Sequence, residues 1–355
     1  MLKENKNALE LLKKAYGINR LLLPDAIHFS VDENENCCRM VLQCLKVRSV
    51  NMQDDSAAFE GWAVAMHLSL KKPGKVILDL DEEPEHPSSY RGQGHLARFL
   101  YRALRFSEQY KEWFQLSDRL NREVQCFSEY LGKNTFTNNP PLREARVKNE
   151  TEKGTATESV VETKLSMDGV LKSVLKDVYD PGSNPVYRQL PVGLFEGGTV
   201  TAENAVFTKN TSAIDLWTWK DSNFEIVELK TNNKMTGIVT EIFFYSNYWY
   251  DFFIRTGSGF HLNEGAGADE NCRGYGDICR LNNRKIKKIT GIFLADRDHP
   301  LPEKKEFPDI LNGNGDISIE YVKGGYNKNL LFTEKKLKKS VTEFVVFMWA
   351  CGLFS

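Results

Sequence analysis

Residues 214–230, "IDLWTWKDSNFEIVELK", hold two apolar runs separated by a short polar stretch. Both runs are rich in aromatic and β-branched residues, and Asp221, Ser222 and Asn223 between them are turn formers. The stretch therefore predicts two consecutive strands joined by a tight turn. Successive side chains of a strand point to opposite faces, so Glu228 and Lys230 project one way and Val227 and Leu229 the other. Asp215 and Glu228 lie about equally far from the turn, so a simple hairpin sets Asp215 opposite a residue near Glu228 or Lys230, with cross-strand neighbours roughly 5 Å apart.

Two carboxylates at that range repel unless a cation sits between them. Oxygen ligands of this kind suit Mg²⁺ or Mn²⁺, which keep several waters and accept a phosphate oxygen. Lys230 then supplies positive charge where negative charge develops on a reacting phosphoryl group. The bland alternative is a same-face ion pair at a strand end, worth about 0.2–1 kcal/mol. Against it, the second run is apolar on both faces, as an interior strand is, and charges are seldom buried there unpaired.

Working outward, a helix is expected over about 160–179, ended by Asp180-Pro181-Gly182, then a strand in "YRQLPVGLF" (187–195) and a glycine turn in "EGGT". After the hairpin come a long helix, "TGIVTEIFFYSNYWYDFFIR" (236–255), a Gly-rich loop over 257–276, strands in "KITGIFLAD" (288–296) and "ISIEYV" (317–322), and a helix from about 333 to 351. The coarse order is α, β, β, β, α, β. Residues 1–131 read as a separate α/β domain, with strands in "CRMVLQCLKVRSV" and "KVILDLD" and helices over 56–70 and 95–116. Residues 132–159 are polar and carry Pro140-Pro141, which marks a linker or exposed excursion before a second domain over 160–355.

Asp215, twelve residues, Glu228, one residue, Lys230, on consecutive strands within that order, resembles the PD-(D/E)XK nuclease superfamily over about residues 160–300. The resemblance implies an α/β fold of restriction-endonuclease-like type, a mixed sheet flanked by helices, and a metal-dependent nuclease acting on DNA, with RNA as the alternative. It implies Asp215 and Glu228 as metal ligands for Mg²⁺ or Mn²⁺, the Leu229 carbonyl as a further ligand, and Lys230 as the catalytic lysine. Many members place a glutamine and a tyrosine four residues apart on the next helix; here the pair is Glu241 and Tyr245, an acid standing for the glutamine. The preceding helix often adds an acid, for which Glu162 ranks ahead of Glu158 and Asp168. Ile214 stands where the family usually has proline. Restriction, defence or repair, and a homodimer that cuts both strands, are roles the resemblance leaves open, as is an inactive domain kept as a nucleic-acid or protein binding module.

The remaining features bound these expectations. The chain of 355 residues is 41% hydrophobic and 27% charged, with a net charge of −1, so no global positive field advertises nucleic acid. Any such partner would meet local basic runs, first of all Arg284, Lys285, Lys287 and Lys288, and then the cluster over 335–339. Such runs are more often solvated faces, and the aromatic stripe "FFYSNYWYDFF" is more often core than a base-stacking platform. Seven irregularly spaced cysteines fit a reducing, cytoplasmic setting better than a disulfide scaffold. The longest apolar run, "FVVFMWACGLFS", is short of a membrane span.

Overall fold

A computed structural model of the chain describes residues 3–84, 86–145, 157–207, 212–232, 236–264, 271–283, 285–297 and 299–327. The expected helix over 333–351, the basic cluster over 335–339 and Arg284 lie outside the described residues. The class is mixed α/β, and the strands fall into sheets of four, three and five.

In the first half, α1 (Lys3–Tyr16) precedes a hairpin of β1 (Ile27–Asp32) and β2 (Cys37–Leu42), followed by α2 (Cys44–Ser49), α3 (Phe59–Ser69), β3 (Lys75–Leu80), α4 (Gly94–Gln109), β4 (Phe114–Leu116) and α5 (Asp118–Lys133). The sheet order is β1-β2-β3-β4, antiparallel at its first pair and parallel after it. The strand expected over 38–50 stops at Leu42, because Cys44 begins a short helix. The helix expected over 95–116 ends at Gln109, and its last three residues form β4 instead.

Residues 136–141 do not fit a linker or exposed excursion. They are buried, and β5 (Phe136–Asn138) is the middle strand of the three-stranded sheet. Its polar Thr137 and Asn138 are tied into that sheet, and Asn138 Oδ1 accepts from the Tyr275 hydroxyl at 3.0 Å.

The single helix expected over 160–179 is two, α6 (Glu158–Leu165) and α7 (Val170–Leu175), broken where Gly169 adopts a φ of +69°. The strand expected over 187–195 is likewise divided: β6 (Tyr187–Pro191) joins the five-stranded sheet and β7 (Leu194–Glu196) pairs with β5. Then come β8 (Ala213–Lys220), β9 (Asn223–Lys230), α8 (Gly237–Phe253), β10 (Phe260–His261), a 3₁₀ turn, α9 (Tyr275–Asn283), β11 (Lys288–Ala295), α10 (Pro300–Glu303), α11 (Phe307–Asn312) and β12 (Ile319–Gly325). The third sheet runs β12-β11-β9-β8-β6, with β8 antiparallel to its neighbours β6 and β9, and β11 and β12 parallel to β9.

The two-residue turn between β8 and β9 puts Asp221 at φ +55°, a conformation aspartate tolerates better than most residues. Alternation along the hairpin then splits the apolar side chains between two faces. Leu216, Val227 and Leu229 pack with Val161, Leu165, Leu171 and Leu175 under α6 and α7. Trp217, Phe224 and Ile226 face α8.

Helix α8 is apolar nearly all round, which requires neighbours on every side. The sheet covers one side, and α3 and α4 of the first half cover another. One continuous core thus joins Phe29, Trp62, Phe99 and Phe106 to Phe243, Phe244, Trp249 and Tyr321. The approach is closest at Gly237, where an added Cβ would lie 2.1 Å from the Gln53 carbonyl oxygen. No described helix is long and apolar enough to cross a membrane.

Candidate functional site

The hairpin brings Asp215 and Glu228 to the same end of the sheet. From the pair Leu216↔Val227 the register runs outward to Asp215, whose N–H donates to Glu228 Oε1 at 3.3 Å. Asp215 Oδ2 in turn accepts the Leu229 N–H at 2.9 Å. Lys230, two residues beyond Glu228 on the same face, directs its Nζ to Glu241 Oε2 at 2.9 Å and to the Leu229 carbonyl at 3.0 Å. The α8 helix, packed on that face, supplies both Glu241 and Tyr245. Asp215, Glu228, Lys230, Glu241 and Tyr245 therefore converge. The Leu229 carbonyl is occupied by the lysine.

The electrostatics are those of crowded acids. Glu228 and Glu241 are 1% and 2% exposed, and Asp215 is half-buried. Burial pushes the Asp215 carboxyl up to about 8, aided by Glu158 and Glu241 and opposed by Lys230 and the Leu229 N–H. Glu228 is held well above the usual carboxylate range by burial and then by the charges of Asp215 and Glu241. Burial alone would lower Lys230, but Glu241, Glu228, Asp215 and Glu158 outweigh it and hold the ammonium protonated. The Tyr245 hydroxyl is kept neutral by burial and by the charges of Glu228, Glu241 and Asp215.

The acid from the preceding helix differs from the sequence ranking. Glu162 is committed to Arg188 at 2.9 Å and to Gln189 Nε2 at 2.8 Å. Glu158 stands closer to the lysine, with Oε1 3.9 Å from Lys230 Nζ and Oε2 accepting the Thr231 N–H. Asp168 lies in the break between α6 and α7, where it lines a shallow recess with Lys172 and Ser183. Tyr248, three residues after Tyr245 on α8, donates to the Gly193 carbonyl at 2.7 Å.

Two neighbours of the site leave no signal in the sequence. Gln189 adopts φ +55° in the middle of β6, opposite Asp215, and its amide bridges Glu162 and Asp215. Gln53 comes from the first half of the chain and donates its amide to Glu241 Oε1. Neither a left-handed residue inside a strand nor a contact across 188 positions leaves a local pattern to read.

The basic cluster is placed elsewhere. Lys288 aligns with Asn223, Phe293 with Glu228 and Ala295 with Lys230, so Lys288 sits five residues along the sheet from Glu228, about 17 Å, and seven from Lys230, about 23 Å. Lys285 and Lys287 are exposed there, and Lys288 pairs with Glu320 at 2.6 Å. These lysines cannot contact a phosphate that is held between Asp215 and Lys230.

No three of the described His, Cys, Asp and Glu side chains form a ready metal cage. The physical reason is that the acid oxygens face protein donors: Leu229 N–H and Gln189 at Asp215, Lys230 and Gln53 at Glu241. The donor set nevertheless fits a divalent cation. Two buried carboxylates and the half-buried Asp215 share one ammonium, and their crowding raises all three carboxyls, so that a cation would displace protons on binding. No family model, no curated protein and no solved structure matches the chain.

Proposed function

We propose that the chain is a metal-dependent nuclease of the PD-(D/E)XK type that hydrolyses phosphodiester bonds of DNA. The observation that carries this reading is the convergence of Asp215, Glu228 and Lys230 at one end of the β8–β9 hairpin. The five-stranded mixed sheet, with α6 and α7 on one face and α8 on the other, supports the restriction-endonuclease-like reading of the fold.

Asp215 and Glu228 would hold Mg²⁺ or Mn²⁺, which supplies Lewis acidity toward a phosphoryl oxygen and acidifies water. Lys230, kept protonated by the surrounding acids, places a fixed positive charge where a phosphorane-like charge develops. Glu241 orients that ammonium, and Gln53 holds Glu241 in turn. Tyr245, buried and held neutral by burial and by the charges of Glu228, Glu241 and Asp215, adds a fixed hydroxyl on the α8 side of the acids.

The test is cleavage of supercoiled and linear duplex DNA by the purified chain with Mg²⁺ or Mn²⁺. Asp215→Asn and Lys230→Ala should each lower the rate at least about 100-fold while the circular dichroism spectrum stays unchanged. Equal cleavage by either variant would remove the assignment.

One observation favours a second reading, an inactive binding module. Asp215 and Glu241 already accept from protein donors, the Leu229 N–H and Gln189 at the first and Gln53 and Lys230 at the second. DNA binding that persists in EDTA, without cleavage under any divalent metal, is the result that would select it.

A further inference from the structure

Three arginines, Arg98, Arg102 and Arg105, follow one another at helical spacing on α4, and all three are at least 94% buried. A buried guanidinium normally needs a carboxylate. Arg102 has one in Glu60 at 2.8 Å, and Arg105 has one in Asp251 at 2.6 Å. Arg98 has none among the described residues. Its donors meet only neutral groups: the Gly94 carbonyl at 3.2 Å, Ser212 Oγ at 3.3 Å and His95 Nδ1 at 3.0 Å.

The place of Arg98 gives this its meaning. Ser212 lies three residues before Asp215, about 10 Å along an extended chain. Arg98 and Tyr245 are close enough to act on one another electrostatically, and Tyr245 also feels Asp215, Glu228 and Glu241. His95 and Ser212 are only half-buried, which leaves the guanidinium about one side chain beneath the surface. With burial and Arg102 both working against its charge, Arg98 is pulled down to about 10, so an anion arriving there would be welcomed by a poorly compensated cation.

We infer that Arg98 is an anion-binding residue of this site, taking a backbone phosphate of the substrate other than the one attacked. This rests on the nuclease reading for the identity of the ligand, but not for the affinity of Arg98 for an anion. On this account residues from the first half form a wall of the site, with Gln53 holding Glu241 and Arg98 holding substrate.

The experiment uses the full chain, wild type and Arg98→Gln, with inorganic phosphate as the probe and Mg²⁺ present throughout. In wild type, phosphate at a hundredfold excess over its dissociation constant should raise the unfolding midpoint by about 4 °C. In Arg98→Gln the rise should fall to the general salt effect seen with chloride at equal ionic strength. An equal rise in both proteins, or no rise in wild type beyond that salt effect, overturns anion binding by Arg98. Should Arg98→Gln fail to fold, Arg98→Lys replaces it; a lysine keeps the charge but not the fork, so less than half of the shift should remain, and a full shift overturns the role.

Duplex DNA then identifies the ligand. Arg98→Gln should weaken DNA binding about tenfold and reduce the slope of log affinity against log salt by about 1. Phosphate binding through Arg98 while DNA affinity and slope stay unchanged overturns the backbone-phosphate assignment. Wild type that binds DNA through Arg98 yet never cleaves it would sink the nuclease reading and leave this inference standing.

Discussion

Arg102→Met tests whether the two halves act as one body. Arg102 and Glu60 are 1% and 0% exposed and meet through paired contacts of 2.8 and 2.9 Å. Glu60 Oε2 also accepts from the Thr240 hydroxyl at 2.7 Å, so the pair ties α3 and α4 to α8 one residue before Glu241. Removing one partner of a buried pair costs about 3–5 kcal/mol, because the survivor is left uncompensated. Burial already pushes the Glu60 carboxyl above its usual range with Arg102 alongside. Without Arg102 it takes up a proton, which sets the expected loss near the lower end, about 3 kcal/mol.

The double variant Glu60→Leu with Arg102→Met removes both charges. It leaves the Thr240 hydroxyl and the Ala57 carbonyl short of a partner, at about 1–3 kcal/mol for each buried group. New apolar contacts offset part of that, so the double variant should be no less stable than Arg102→Met. The assay is urea unfolding followed by far-ultraviolet circular dichroism and by tryptophan fluorescence. Trp62 reports on the first half, and Trp217 and Trp249 report on the second. Both signals should shift together in the single variant. A loss under about 1 kcal/mol, or a shift confined to one of two separate transitions, would refute the reasoning.

Metal affinity and stability should both carry pH signatures. Asp215 is pushed to about 8 by burial and neighbouring acids, and its proton must leave before it can hold a cation. Apparent Mg²⁺ affinity should climb from about pH 6 to about pH 8 and then level, with protons released on binding; calorimetry in two buffers of different ionisation enthalpy measures this, and a flat profile would contradict it. Glu225, on the opposite face of β9, is likewise raised to about 8 by burial. A carboxyl raised in the folded state contributes stability that is present below its unfolded value near 4.5 and lost as pH rises toward 8. Glu225→Gln should flatten that decline while keeping the contacts of its remaining oxygen with Tyr179 and Asn223, and chemical unfolding across the window checks it.

The hairpin was legible because strand alternation and a turn are local signals. Residues 214–230 form β8 and β9 within a residue of the expected limits, and the relation of Asp215 to Glu228 follows from counting. The α/β class and the core role of the aromatic helix were legible for the same reason. The break at Gly169 and the split between β6 and β7 were not, because a single left-handed glycine and a change of sheet partner leave hydrophobic periodicity nearly untouched. The separateness of residues 1–131 was read from composition, whereas the shared core depends on contacts such as Trp62 and Phe106 with the partners of α8, far apart in sequence. The all-round apolar character of α8 was the one available hint that something besides its own sheet must cover it. The basic run at 285–288 was legible as a run, but its place at the far end of the sheet from the acids depends on strand direction, which the run itself does not carry.

A helix enclosed from both directions also sets an order of events during synthesis. The faces of α3 and α4 that receive α8 emerge from the ribosome about 130 residues before α8 begins. At about 5–20 residues per second they wait on the order of 10 s with apolar surface uncovered. The nascent chain is thus an expected client for holding chaperones during that interval, and slow codons between positions 110 and 237 would lengthen its exposure and lower the soluble yield.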